Sequence, residues 1–213
     1  IVVVDAGLGP VDLRVTRQVC RQPAIDLGRI RSVGLRGLLG RRKFIQWYAL
    51  DQGDLRVIKL LAGGAELRAD PKRIADFIEE VLRYDGSVKS GGRLCVKTTL
   101  LGGIEIKAGT TILLSHMAAN RDPARFADPD TFDMNRPKAK EHLAFGRGAH
   151  TCIGAPLARR EVQVSIERLL ARMDNIRLSE AHHGPKGAER FDYEPTYILR
   201  AMKHLHLEFD PIG

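Results

Sequence analysis

The sequence has no long uncharged run of apolar residues, so nothing in it reads as a membrane-spanning helix. Cysteines are few. The three present, Cys20, Cys95 and Cys152, lie far apart, which excludes both a disulfide framework and a clustered metal site. Their scarcity points to a reducing, cytoplasmic setting. The opening IVVVDAGLGP is too short and wrongly flanked for a secretory signal. It also lacks an initiator methionine, from which we expect that the chain starts inside a longer one. No helix-turn-helix, zinc-finger or aromatic RNA-binding pattern accompanies the net charge of +8. That charge fits a face for an acidic redox partner, uneven sampling of surface residues or, less well, nucleic-acid binding. What remains is a chain of 213 residues, 44% of them hydrophobic, enough for one large domain or two small ones.

The chemistry concentrates in Phe145 to Arg159, FGRGAHTCIGAPLAR. Cys152 lies in a glycine-rich loop, and a helical pattern runs from Ala155 to Met173. Gly146, Gly148 and Gly154 permit positive φ, bring backbone close to a flat ligand, and aim N–H groups at a sulfur. The positive end of the following helix favours a thiolate at Cys152. Pro156 suits the first helical turn, where its missing N–H costs nothing. Phe145 offers an aromatic edge beside the sulfur, and His150 a donor for an anion. As chemistry, the loop presents one thiolate to a metal; the structural alternative is a buried cysteine in a turn.

The loop resembles the haem-binding loop of the cytochrome P-450 family, F-x-x-G-x-x-x-C-x-G, with Phe145, Gly148, Cys152 and Gly154 in every fixed place. Leu157, Ala158 and Arg159 match the extension of bacterial members. The resemblance implies that Cys152 is the axial thiolate of a haem b iron. Other stretches resemble the same family. Glu80 and Arg83 form an E-x-x-R pair on a helix with an apolar stripe at Ile74, Phe77, Ile78, Val81 and Leu82. Taken alone, such an i, i+3 pair reads as a solvated surface pair. The resemblance implies that it locks to Arg136 in a buried structural network. Asp70 and Pro71 mark the start of that helix, and Asp85 and Gly86 its end.

Strands are expected at Arg93 to Thr99, Ile104 to Ile106 and Thr110 to Ser115, with turns at Gly102-Gly103 and Ala108-Gly109. The resemblance implies that Arg93 and His150 pair with haem propionates and that Val88 to Gly92 touches substrate, with Lys89 turned away. His116 to Arg136 is similar to the bacterial A-N-R-D-P…F-x-D-P-D-x-F-D segment, whose Asn120, Arg121, Asp122 and Pro123 hold turns. Leu157, Val162, Val164, Ile166, Leu169 and Leu170 give the last helix an apolar side. Residues 179–190 read as a polar loop with solvated His182 and His183. Tyr197 to Phe209 alternates like a hairpin.

Residues 1–68 read differently: an atypical basic segment of poor periodicity, with Ile1 to Val4 a buried strand or the start of a helix, and an apolar patch at Phe44 to Leu50. The family's distal helix carries an acid–alcohol pair in A-G-x-[DE]-T. Ala6, Gly7 and Leu8 begin such a pattern, but Gly9 and Pro10 stand where the acid and threonine belong, so no catalytic residue is identified. The resemblance covers about residues 66–213. It implies a mainly α fold with small β sheets, the C-terminal haem-binding part of a P-450-like domain spanning 69–213. It also implies a haem-thiolate monooxygenase acting on an apolar small molecule. Electrons would come ultimately from NAD(P)H through a ferredoxin-like donor and its reductase. The alternatives are an inactive remnant, truncated or frame-disturbed, that binds haem without turnover, and a basic nucleic-acid-binding module.

Overall fold

The computed structural model describes residues 2–4, 64–196 and 198–212. These divide into two compact units, one holding Val2–Val4 and Ser90–Ser115, the other the remaining described residues.

The first unit is a small β structure. Strands β1 (Val2–Val4), β2 (Ser90–Leu94) and β5 (Thr111–Ser115) form an antiparallel sheet in the order β1-β5-β2. The opening residues are thus a strand, with Val3 opposite Ile112, which also faces Arg93. A separate hairpin pairs β3 (Thr99–Leu101) with β4 (Ile104–Ile106) through Gly102 and Gly103, both at positive φ, +57° and +81°. Two such residues match the twist of a tight hairpin. Cys95, Leu101, Ile106 and Ile112 form the small core. The strand expected at Arg93 to Thr99 instead runs from Ser90 to Leu94. Beyond it the backbone turns: Cys95 Sγ donates to the Lys97 carbonyl, and Thr98 Oγ1 accepts from the Ala108 N–H at 3.0 Å.

In the second unit, α1 (Ala65–Ala69) precedes a 3-10 turn at Pro71–Arg73 and helix α2 (Ile74–Tyr84). Asp70 caps the turn by accepting from the Lys72 N–H at 3.2 Å. A one-turn helix α3 (His116–Ala119) leads into the Asp-Pro turns, and α4 (Ala155–Leu170) follows the cysteine loop. The apolar stripe of α2 packs on Val162, Ile166 and Leu170 of α4, with Leu67, Phe132 and Met134 closing the cluster. Leu157, expected on that apolar side, is exposed instead, because the first turn of α4 lies outside this cluster.

Helix α4 stops at Leu170, short of the expected Met173. The Arg68 side chain bonds the carbonyls of Leu170 and Met173 and pairs with Asp174 at 3.1 Å. A guanidinium there satisfies carbonyls that the helix leaves unpaired. Met173 instead opens β6 (Met173–Leu178), whose antiparallel partner is β7 (Leu207–Pro211). The hairpin expected over Tyr197 to Phe209 is therefore not formed among the described residues. Its last part pairs with β6, while single bridges join Tyr193 to Met202 and Val88 to Leu199. Alternation reveals a strand's parity but not its partner.

Within 179–190, Glu180–His183 forms a one-turn helix, α5. His183 is buried rather than solvated. Its Nε2 accepts from the His206 N–H at 2.8 Å, so its Nδ1–H faces the Arg190 carbonyl at 3.1 Å. His182 is exposed and stacks on His206 with ring centroids 4.0 Å apart.

Candidate functional site

Helix α2 carries two adjacent carboxylates, Glu79 and Glu80, and each anchors a separate network. Glu80 is fully buried. It receives the Arg83 guanidinium on both oxygens, at 2.7 and 2.8 Å, and Arg136 Nε at 3.0 Å. The Asp133 N–H donates to the same oxygen as Arg136, at 2.9 Å. The remaining guanidinium donors are used on backbone. Arg83 bonds the carbonyls of Asn120, Pro129 and Thr131, and Arg136 those of Ala127, Asp128 and Thr131. Thr131 thus joins both arginines. These bonds tie the Asp-Pro turns of 120–133 to α2. Burial of the three charges is tolerable because every one is paired and each guanidinium nitrogen has a partner; removing one leaves the others stranded.

The cysteine loop is open by contrast. Cys152 is a free, exposed cysteine, and its neighbour Ile153 is 89% exposed. Gly146 at φ +69° and Gly148 at φ +82° reverse the chain, which side chains with a Cβ rarely allow. The Cys152 N–H donates to the Phe145 carbonyl at 2.9 Å, closing the loop on itself. A short 3-10 turn at Gly148–His150 lies inside it, with His150 exposed. Gly154 has φ −80°, so the positive φ expected there is not found. A Cβ there would stand 3.7 Å from Cys152 Sγ, an ordinary van der Waals contact, so neither φ nor space requires a glycine at this position. The sulfur sits directly before the N-terminus of the sixteen-residue α4, where the helix dipole favours negative charge.

The second network escaped the sequence reading. Glu79 accepts from Arg159 Nε at 2.6 Å and Nη2 at 3.1 Å, and from His142 Nε2 at 3.1 Å. His142 Nδ1 in turn accepts from the Ala144 N–H at 3.1 Å, which places the ring proton on Nε2, facing the carboxylate. The Arg159 guanidinium also lies over the Phe145 ring, 4.7 Å from its centre. Burial raises the pKa of Glu79, but the hydrogen bonds from His142 and Arg159 and the positive charge of Arg159 outweigh it and lower the pKa to about 2. The signal available in the sequence was a pair of adjacent acids inside an apolar helical stripe with a single arginine among them. One of the two carboxylates needed a cation from elsewhere.

Two further contacts reach the same loop. The Leu143 N–H donates to Asn120 Oδ1 at 2.7 Å. Gly86, just beyond α2, packs so closely that a Cβ there would meet the Leu82 carbonyl oxygen at 3.0 Å and the Ala144 Cβ at 3.2 Å. Arg93 lies on β2 in the first unit, where its Nη1 bonds the Gly92 carbonyl at 2.8 Å. Lys89 turns its Nζ to the Thr196 carbonyl at 3.0 Å. The stretch in which the acid–alcohol pair was sought, with Gly9 and Pro10, lies outside the described residues.

The single-cysteine loop, the helix behind it and the buried Glu80 network coincide with one family. The cytochrome P-450 family model matches residues 74–180. The chain belongs to that family, one of haem-binding oxidoreductases. It is 35% identical over 145 residues to the biotin biosynthesis cytochrome P-450 of Bacillus subtilis, covering 68% of this chain and 34% of that one. Against the cytochrome P-450 monooxygenase PikC of Streptomyces venezuelae, identity is 46% over 146 residues, covering 68% and 33%. The substrate-free structure of a Mycobacterium marinum cytochrome P-450 superposes with a TM-score of 0.72 at 46% identity, covering 78% of this chain and 41% of that one. The chain thus spans about a third of the length of these curated relatives. No helix among the described residues is long and apolar enough to cross a membrane.

Proposed function

We propose that the chain carries the haem-binding part of a haem-thiolate monooxygenase, with Cys152 as the axial ligand. The observation that supports this most directly is the exposed sulfur of Cys152, held by a glycine-rich loop at the N-terminus of α4. The donor set fits the group. One soft thiolate is presented, on a loop that Gly146 and Gly148 bend at positive φ. When bound, haem supplies the oxygen chemistry, which the polypeptide cannot perform.

The chain's own residues then have positional roles. Cys152 would hold the haem iron. Phe145, Gly146, Gly148 and Gly154 shape the loop around the sulfur. Arg93 and His150 contribute positive charge or donors for the propionates. Glu80, Arg83 and Arg136 fix the segment that precedes the loop, without touching the reacting atoms. The substrate is an apolar small molecule, and electrons arrive from NAD(P)H through a ferredoxin-like donor and its reductase, in the cytoplasm. The net charge of +8 supports an acidic redox partner and does not single out nucleic acid. A second reading, haem binding without turnover, is favoured by Gly9 and Pro10 at the places of the acid and alcohol.

The test is an absorption spectrum of the chain loaded with haem and reduced under carbon monoxide. A strongly red-shifted Soret band supports thiolate ligation, and Cys152→Ala should abolish it. Survival of that band in the variant would remove Cys152 as the ligand. Substrate-dependent oxygen consumption by the loaded chain then separates turnover from binding alone.

A further inference from the structure

We infer that Glu79 is a positioning residue for the Cys152 loop, acting through His142 and Arg159. The inference rests on the reading of Cys152 as the haem ligand and adds a support that the E-x-x-R pattern does not contain.

The geometry gives Glu79 two arms that converge on adjacent residues. Through Oε2 it receives the His142 Nε2 proton, at 3.1 Å. That interaction leaves Nδ1 as an acceptor for the Ala144 N–H, at 3.1 Å. The carboxylate thereby selects the tautomer that grips the backbone of residue 144. Through Oε1 it receives Arg159 Nε at 2.6 Å, and the guanidinium so held covers the Phe145 ring. Phe145 is the residue whose carbonyl accepts the Cys152 N–H. Every link from Glu79 to the cysteine is therefore a directional contact, and none passes through the Glu80 network. Arg159 lies on α4, so the same carboxylate also ties the helix that follows the cysteine to the residues that precede it. Without Glu79 the imidazole can flip or change tautomer, the guanidinium is free to leave the ring, and both ends of the loop loosen together.

The test uses the full chain without added haem and reads amide hydrogen exchange by mass spectrometry. Glu79→Gln keeps the shape but sets an amide among donors that need a carboxylate. In this variant, exchange across residues 143–152 should quicken by about tenfold, the signature of a local opening, while residues 127–136 and the centre of α4 keep their rates. Arg159→Lys, which keeps charge but not the flat two-pronged contact, should give a smaller change in the same peptide. His142→Phe, which removes the acceptor, should free Ala144 selectively. In the loaded chain, Glu79→Gln should convert part of the red-shifted carbon monoxide band to the unshifted form. Unchanged exchange over 143–152, or equal acceleration along the whole chain, overturns the inference. If Glu79→Gln does not fold, Arg159→Lys and His142→Phe decide it by the same readout. A wild-type chain that takes up no haem would defeat the proposed function, whereas the exchange result would still stand or fall by itself.

Discussion

Around Glu80 the chain encloses three charged side chains, all at 9% exposure or less, and uses their donors on six carbonyl contacts and one another. Around Cys152 it does the reverse. The sulfur and Ile153 are exposed, the backbone is bent at two glycines, and a single closing bond runs to Phe145. One region is buried and tied down on every side; the other, to which we assign the chemistry, is held from behind. Charged groups buried in α2 reach the residues before the loop through the side chains of His142 and Arg159.

The comparison can be broken most forcefully at Arg136. Arg136→Ala leaves Glu80 short of a partner, frees the carbonyls at 127 and 128, and leaves that at 131 to Arg83 alone. The expected cost is about 3–5 kcal/mol, read from urea unfolding, with reduced haem retention. A cost below about 1 kcal/mol would mean that the buried network holds no more than a surface pair does.

Acid sharpens the comparison by acting on the other carboxylate. The pKa of Glu79 is about 2 in the folded chain against an ordinary value of 4.5. Its contribution is complete above the unfolded value and disappears as the pH falls through the folded one. Between about pH 5 and pH 2 the wild type should therefore lose about 3 kcal/mol from this group alone. Glu79→Gln should lack this component, leaving a shallower slope in the same window. Equal slopes for the two proteins would show that Glu79 is not held as an ionised partner.

The smallest effect belongs to the loop itself. At Gly148, φ is +82° and an added Cβ meets nothing within 4 Å, so Gly148→Ala isolates the backbone conformation from steric contact. We expect a loss of about 1–2 kcal/mol. Gly92→Ala is the control: it is equally open but not at positive φ, and should change stability by about 0.5 kcal/mol or less. Equal values for the two would show that the loop does not require its bend.

The parts legible from sequence were those in which one residue type at one spacing carries the reason. Cys152 among its glycines was legible, as were the α2 stripe from Ile74 to Val81 and the paired glycines of the β3–β4 hairpin. The hidden parts depend on partners far along the chain. Glu79 lies 63 residues from His142 and 80 from Arg159, and no local pattern connects them. The partner of β7 was hidden for the same reason. His183 was misjudged because a Gly/Pro-rich setting suggests solvent, whereas its two nitrogens are occupied by the His206 N–H and the Arg190 carbonyl. At Gly154 the expected positive φ is absent, and a Cβ would make only an ordinary contact with the sulfur, so the structure gives no conformational or steric reason for that glycine.

Gly86 sets a limit of another kind, on how this chain can drift. Any side chain there would press on both the Leu82 carbonyl and Ala144. Trimming Ala144 to glycine would relieve only one of the two collisions, since the other is with helix backbone that has no smaller form. A side chain at this position therefore requires the end of α2 to give by a few tenths of an ångström. The junction between α2 and the cysteine loop is accordingly a close-set spacer, where added bulk is met by a shift of one element against the other.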